Sequence, residues 1–303
     1  MLKIFDAHMH IGKAYKSIKD GDWESYIVNA METNINGCIM MPPCIPDFTS
    51  LPDGTRVIDF LCLRDETGVV RYVSKKELNG HIVIEDVKSD PFFQCNKDLL
   101  CFCEKVRSDK FLARFAPLAH PLFFDFDSFT QSEWDSIIAL KIHPGSFGIE
   151  INDVPKKFWE KVEKIKKPVI LHTGYKNSIG HEWLDVLKKY NIKVLFTHAM
   201  RLDTRTSQII NSDKRYSVGI APYKRLSEMK NFQHTTDFLL NVSQLFSAES
   251  LIFDTDYPEN FMPDTKEFHW DFIEDMQQYW NQIEIEDIMY KNAKAFFELE
   301  NEN

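Results

Sequence analysis

Two histidines, His8 and His10, stand two residues apart in the apolar run Ile4-Phe5-Asp6-Ala7-His8-Met9-His10. A strand alternates its faces, so both imidazoles point to one side. Histidine is the commonest metal-ligating side chain, and a pair spaced this way can hold one ion. Asp6 falls on the same face one step deeper, where it could bind directly or orient a ligand. A buried histidine bonded to a carbonyl is the ordinary alternative. The metal reading therefore depends on what the rest of the chain supplies.

Four more apolar runs end in chemistry. Ile137 to His143 carries Lys141 and His143, Pro168 to Thr173 carries His172, Lys193 to His198 ends on His198, and Leu251 to Asp256 ends on Asp256. Five of the ten histidines thus close otherwise apolar strands. One such histidine is usually structural. Five with a carboxylate, all at strand ends, make a set that a divalent ion needs: neutral imidazoles, a carboxylate and a position left for water. Zinc lowers the pKa of bound water from 15.7 to about 7. A carboxylate at the metal can accept the water's proton, and a further imidazole can stabilise developing charge or donate to a leaving group.

The elements that must position these groups follow a strand–helix rhythm. Trp23 to Thr33 has helical spacing, and Asn36-Gly37 breaks it before a buried strand, Cys38 to Met41. Residues 44–94 interrupt the rhythm. Their alternating stretches, Gly68 to Val73 and Gly80 to Ile84, predict a hairpin in an insertion near the barrel mouth. A segment this long in a compact domain often serves function. Helices are then expected at Asn96 to Arg107, Asp127 to Ser136, Pro155 to Lys166, Glu182 to Tyr190, from Thr204, up to Phe246, Thr265 to Trp280 and Ile285 to Leu299. Strands lie between them, including Phe111 to Leu118 and Tyr216 to Ile220. Eight strands in 303 residues predict one (β/α)8 TIM barrel spanning 1–303, with a segment inserted after the second strand. No Gly-x-Gly-x-x-Gly follows the first strand, which argues against a dinucleotide fold. In a barrel the carboxyl ends of the strands hold the site, and the histidines end there.

Composition bounds the partners. The net charge is -10 and the pI about 5.5, which disfavours nucleic acid and anionic membranes. No apolar run reaches the roughly 18 residues of a membrane span. A strand pattern begins by residue 2, leaving no room for a signal peptide. Six scattered cysteines without a Cys-x-x-Cys read as reduced thiols of a cytoplasmic protein, and Cys101 and Cys103 read as core.

Taken in order, Phe5 to His10, Leu140-Lys141-Ile142-His143-Pro144, Leu171-His172-Thr173-Gly174, Thr197-His198-Ala199, Asp254-Thr255-Asp256-Tyr257-Pro258 and Asn292 to Phe297 resemble the successive motifs of the amidohydrolase-related (amidohydrolase 2) family. This is the branch of the amidohydrolase superfamily that includes aminocarboxymuconate-semialdehyde decarboxylase. The resemblance spans nearly the whole chain outside 44–94. It implies that His8, His10, His172 and Asp256 hold one divalent metal, zinc or alternatively manganese. It implies that His198 is the catalytic imidazole and that Asp256 doubles as proton acceptor. Asp254 stands where the family usually has a small residue; it shares a strand face with Asp256, and the place before Tyr257-Pro258 favours Asp256 as ligand. Lys141 is either an amine near the substrate of a single-metal site, the preferred form, or a carboxylated bridge between two ions.

The family contains hydrolases of amides, esters and lactones, as well as decarboxylases and hydratases. The expected function is metal-dependent hydrolysis of a small molecule. The alternatives are a non-oxidative decarboxylase on the same site and, against the charge and the Asp-Tyr-Pro ending, a TatD-type nuclease. Arg114, His120, His143, Tyr175, Arg201 and Tyr223 are further candidates to face the substrate, the arginines suiting a carboxylate. Similar barrels often form homodimers, although the sequence shows no interface signature.

Overall fold

The apolar runs that end in histidine or aspartate become parallel strands, and amphipathic segments between them become helices. The computed structural model describes residues 2–12, 22–43, 56–64, 66, 70–108, 110–173, 180–199, 202–221, 235–258 and 266–299. In chain order the elements are β1 (Ile4–His10), α1 (Trp23–Glu32), β2 (Ile35–Met41), β3 (Arg56–Arg64), β4 (Val70–Leu78), β5 (His81–Asp86), α2 (Phe93–Val106), β6 (Leu112–Phe115), α3 (Gln131–Ser136), β7 (Leu140–Ile142), α4 (Pro144–Phe147), α5 (Lys156–Ile165) and β8 (Val169–Leu171). They continue with α6 (Gly180–Leu187), β9 (Val194–Phe196), α7 (Thr204–Ser212), β10 (Tyr216–Ile220), α8 (Thr235–Leu245), β11 (Leu251–Phe253), α9 (Lys266–Met276), α10 (Gln282–Glu286) and α11 (Asn292–Phe296), the last two joined by a π-helical turn.

β1, β2 and β6 form one parallel run, and β7 to β11 another, each strand beside its predecessor. Two seams join them. Phe115 bridges Ile137 and Leu118 bridges Lys141 on one side, while Met9 bridges Tyr257 on the other. His10 N–H donates to Tyr257 O at 2.8 Å, and Asp256 N–H to His8 O at 2.9 Å. The eight parallel strands therefore close into a (β/α)8 barrel.

Inside the barrel Phe5, Ala7, Ile39, Met41, Ala139, Ile170, Leu195 and Ile252 pack together. Ala293 and Phe296 of α11 join the same cluster. Lys193, just before β9, donates to Phe296 O at 3.2 Å and reaches Glu298 at 2.6 Å. The C-terminal helix thus covers the amino ends of the strands and leaves the carboxyl ends to the polar groups. A larger apolar cluster lies between strands and helices; α5 contributes Phe158, Trp159 and Val162 to it from one face.

Several local expectations change. Asn36 and Gly37 do not break the chain before β2; they belong to it. Asn36 accepts the Ile4 N–H, and Gly37 lets β6 approach, since a Cβ there would lie 2.7 Å from Leu112 O. Cys103 is buried as expected, but Cys101 faces solvent, because residues two apart on a helix diverge.

Within the segment after β2, β3, β4 and β5 make a three-stranded antiparallel sheet instead of a hairpin. β3 is the strand that alternation in the sequence did not reveal. The Arg64 guanidinium grips Asp153 with two hydrogen bonds, and the Tyr72 ring packs at a tilt against His120 with ring centres 4.2 Å apart. Both partners lie beyond the carboxyl ends of β6 and β7, so the sheet is fastened to the side of the barrel that carries the histidines.

Candidate metal centre

β1 does not alternate strictly. Its register against β2 shifts between Asp6 and Met9, and this bulge separates Asp6 from the histidines. Asp6 does not share their face. Its carboxylate accepts the Tyr26 hydroxyl at 2.9 Å, the Thr255 hydroxyl at 2.6 Å, the Thr255 N–H at 2.9 Å and the His8 N–H at 3.2 Å. Burial pushes its carboxyl up to about 6 against the opposing pull of these bonds. Asp6 is a clamp between β1, α1 and the end of β11.

Beyond the bulge His8 and His10 do share a face. Their Nε2 atoms are 3.1 Å apart, and Asp256 Oδ1 lies 3.7 Å from each. Among the described residues these three form a group whose donor atoms lie within 4.8 Å of one another. Their side chains are mostly or wholly buried. Lys141, fully buried on β7, brings Nζ to 2.8 Å from His8 Nε2. His10 Nδ1 is 2.8 Å from the Pro42 carbonyl, which can only accept. That bond places the ring proton on Nδ1 and leaves the Nε2 lone pair facing the group.

Burial pushes the His10 imidazole down to about 3, helped by the Lys141 charge and opposed by the Pro42 bond. Burial, then Lys141 and the neighbouring histidines, hold His8 well below its ordinary range. Neutral imidazoles beside a carboxylate are the donor set of a divalent ion, so the residues present fit one.

His172 lies outside the mutual reach of that trio. Its Nδ1 faces His198 Nε2 at 3.0 Å, and His198 Nε2 lies 4.0 Å from Asp256 Oδ2. Burial first, then His143 and His198, keep His172 well below its usual range. Asp256 thus stands between two groups, His8 with His10 and His172 with His198. His143 stacks on His172 with centroids 3.7 Å apart, while its Nδ1 accepts the Ser146 N–H at 3.0 Å and starts α4.

The backbone bends to make this arrangement. His198 has φ 67° and Asp256 φ 51°, a left-handed conformation that side-chain-bearing residues rarely adopt and that clusters at functional sites. Asp254 and Asp256 both turn to the His8 ring, Asp256 Oδ1 lying 3.7 Å from Nε2 and Asp254 Oδ2 3.7 Å from Nδ1.

The other candidates divide. Arg114 on β6 is half-buried and donates to the Ala113 carbonyl at 3.3 Å. His120 is buried among Tyr72, Phe123 and Phe147. Tyr175, Arg201 and Tyr223 lie outside the described residues. Two features went unread in the sequence, the Pro42 carbonyl and Gly219 beside Asp254, because neither carries a local pattern.

No family model matches the sequence, and no curated relative does either. Solved structures match throughout. A probable 2-pyrone-4,6-dicarboxylic acid hydrolase of Acinetobacter baumannii superposes with a TM-score of 0.62 at 14% identity, over 98% of this chain and 100% of that one. A dihydroxybenzoic acid decarboxylase of Polaromonas sp. JS666, with bound manganese and an inhibitor, gives 0.58 at 12% identity, covering 99% and 98%. Enamidase, a member of the amidohydrolase superfamily, gives 0.56 at 11% identity, covering 98% and 67%. The fold is the barrel that these solved structures share. No helix among the described residues is long and apolar enough to cross a membrane.

Proposed function

We propose that this chain is a metal-dependent hydrolase acting on an amide, ester or lactone bond of a small molecule at the carboxyl end of the barrel. The observation that carries the reading is the convergence of His8 Nε2, His10 Nε2 and Asp256 Oδ1, with Lys141 Nζ beside them, in a buried setting. His8, His10 and Asp256 would hold a divalent ion, with His172 and His198 next to it. Such an ion, zinc or manganese, lowers the pKa of water and polarises a carbonyl.

The chain's own groups supply the rest. Pro42 holds His10 in the ligating tautomer. Asp256 keeps Oδ2 towards His198 and can take a proton there, while His198 Nε2 can hand one to a leaving group. The buried Lys141 amine sits where it can neutralise a substrate oxygen or carboxylate. The pairing of His172 with His198 also favours a second reading of the centre, in which Lys141 is carboxylated and two ions bind.

Non-oxidative decarboxylation on the same residues is the alternative chemistry. The manganese-bound decarboxylase fold supports it. The net charge of -10 disfavours a nuclease. The scattered cysteines suit a cytoplasmic setting, and a homodimer is compatible with the fold.

The deciding experiment is elemental analysis of protein purified without added metal, paired with Asp256→Asn. One ion per chain, lost in the variant, supports the single-metal centre; two ions support the Lys141 bridge. No metal, with none taken up on soaking, overturns the reading. A panel of lactones, esters, amides and aromatic carboxylates then separates the chemistries: a new acid with no carbon dioxide marks hydrolysis, and carbon dioxide release marks decarboxylation.

A further inference from the structure

Asp254 is fully buried, and neither of its carboxylate oxygens has a hydrogen-bond partner among the described residues. His8 Nδ1 is likewise buried without a partner. The two orphans face each other, with Asp254 Oδ2 3.7 Å from His8 Nδ1. Buried polar groups are nearly always satisfied, so two unsatisfied complementary atoms at this separation call for an explanation. The separation lies just beyond the hydrogen-bond range of about 2.7–3.2 Å, so a hydrogen bond between them requires one of the two side chains to turn.

The chemistry of the ring gives that contact a purpose. His8 turns Nε2 towards His10, Asp256 and Lys141. For Nε2 to ligate, its lone pair must be free and the ring proton must sit on Nδ1. His10 meets the same requirement through the Pro42 carbonyl. Among the described residues no carbonyl meets His8 Nδ1, and Asp254 is the acceptor on that edge. β10 makes room for it. A Cβ on Gly219 would lie 2.8 Å from Asp254 Cγ, and its three nearest atoms all belong to the Asp254 side chain. Gly219 is therefore the niche in which the carboxylate lies against His8.

We infer that Asp254 is a positioning residue that accepts the His8 Nδ1 proton and sets the ring for metal binding, and that Gly219 exists to admit it. This rests on the metal-centre reading above. Partners of this kind typically affect metal affinity about 10- to 100-fold.

The test is zinc affinity by competition with a chromogenic chelator, run on wild type, Asp254→Asn, Asp254→Ala, Gly219→Ala and the Asp254→Ala/Gly219→Ala double variant. Thermal melts identify folded proteins. The expected result is a loss of about 10- to 100-fold for Asp254→Ala, a smaller loss for Asp254→Asn, which keeps an acceptor, and a loss for Gly219→Ala that vanishes in the Asp254→Ala background. Selective ¹⁵N-histidine labelling of wild-type protein should show His8 protonated on Nδ1. Folded variants that bind zinc like wild type, or a Gly219→Ala effect that persists without Asp254, would overturn the inference while leaving the metal centre intact. Wild-type protein that binds no zinc would overturn the centre itself. If Asp254→Ala does not fold, Asp254→Asn, Gly219→Ala and the His8 tautomer still decide the matter.

Discussion

Asp6 at the start of the barrel and Thr255 at its end are joined twice, through the Thr255 hydroxyl at 2.6 Å and its N–H at 2.9 Å. This link crosses the seam between the first and last strands, beside two of the metal-ligand candidates, His8 and Asp256. Tyr26 adds a third donor from α1. Asp6→Ala should leave these buried donors unpaired. We expect a loss of about 2–4 kcal/mol, read as a lower urea midpoint with unchanged slope. Metal content of the folded fraction should persist, since Asp6 faces away from the centre; loss of metal at full stability would contradict the bulge geometry.

His198→Asn separates two roles. As the catalytic imidazole of a single-metal site, it should drop turnover by about 10²- to 10⁴-fold with the metal retained. As a ligand of a second ion with His172, it should lower the metal content as well. Unchanged turnover would remove His198 from the mechanism.

His120 gives a pH signature of its own. Burial pushes it down to about 3 in the folded protein, against the ordinary 6.5. The unfolded chain therefore takes up a proton that the folded one refuses. The resulting stability is intact above 6.5 and is lost as pH falls towards 3, with a slope of at most about 1.4 kcal/mol per pH unit. His120→Phe keeps a ring against Tyr72, Phe123 and Phe147 and should flatten that part of the profile. Urea titrations at several pH values between 4 and 7 check this; an unchanged slope would refute it.

Arg64 fastens the inserted sheet to the barrel through Asp153. Arg64→Ala should change global stability by no more than about 1 kcal/mol, since the guanidinium is part-exposed. Hydrogen exchange in β3 and β4 should nevertheless quicken while β10 stays protected. Equal protection in both would mean that packing at Tyr72 alone holds the sheet.

The sequence by itself determined the barrel and the roster of its site. Apolar runs ending in His10, His143, His172, His198 and Asp256 recur between amphipathic helices, and burial of one face per element leaves few other architectures. Tertiary structure decided which of those groups meet. Period-two alternation placed Asp6 with His8 because it assumes an ideal strand. A bulge in β1 reversed that pairing. The third strand of the inserted sheet, the Pro42 carbonyl behind His10 and the Gly219 niche beside Asp254 were equally invisible, since each depends on chain segments that are distant in sequence. Local pattern fixes which face a residue is offered on; only the closed barrel fixes what waits on the other side.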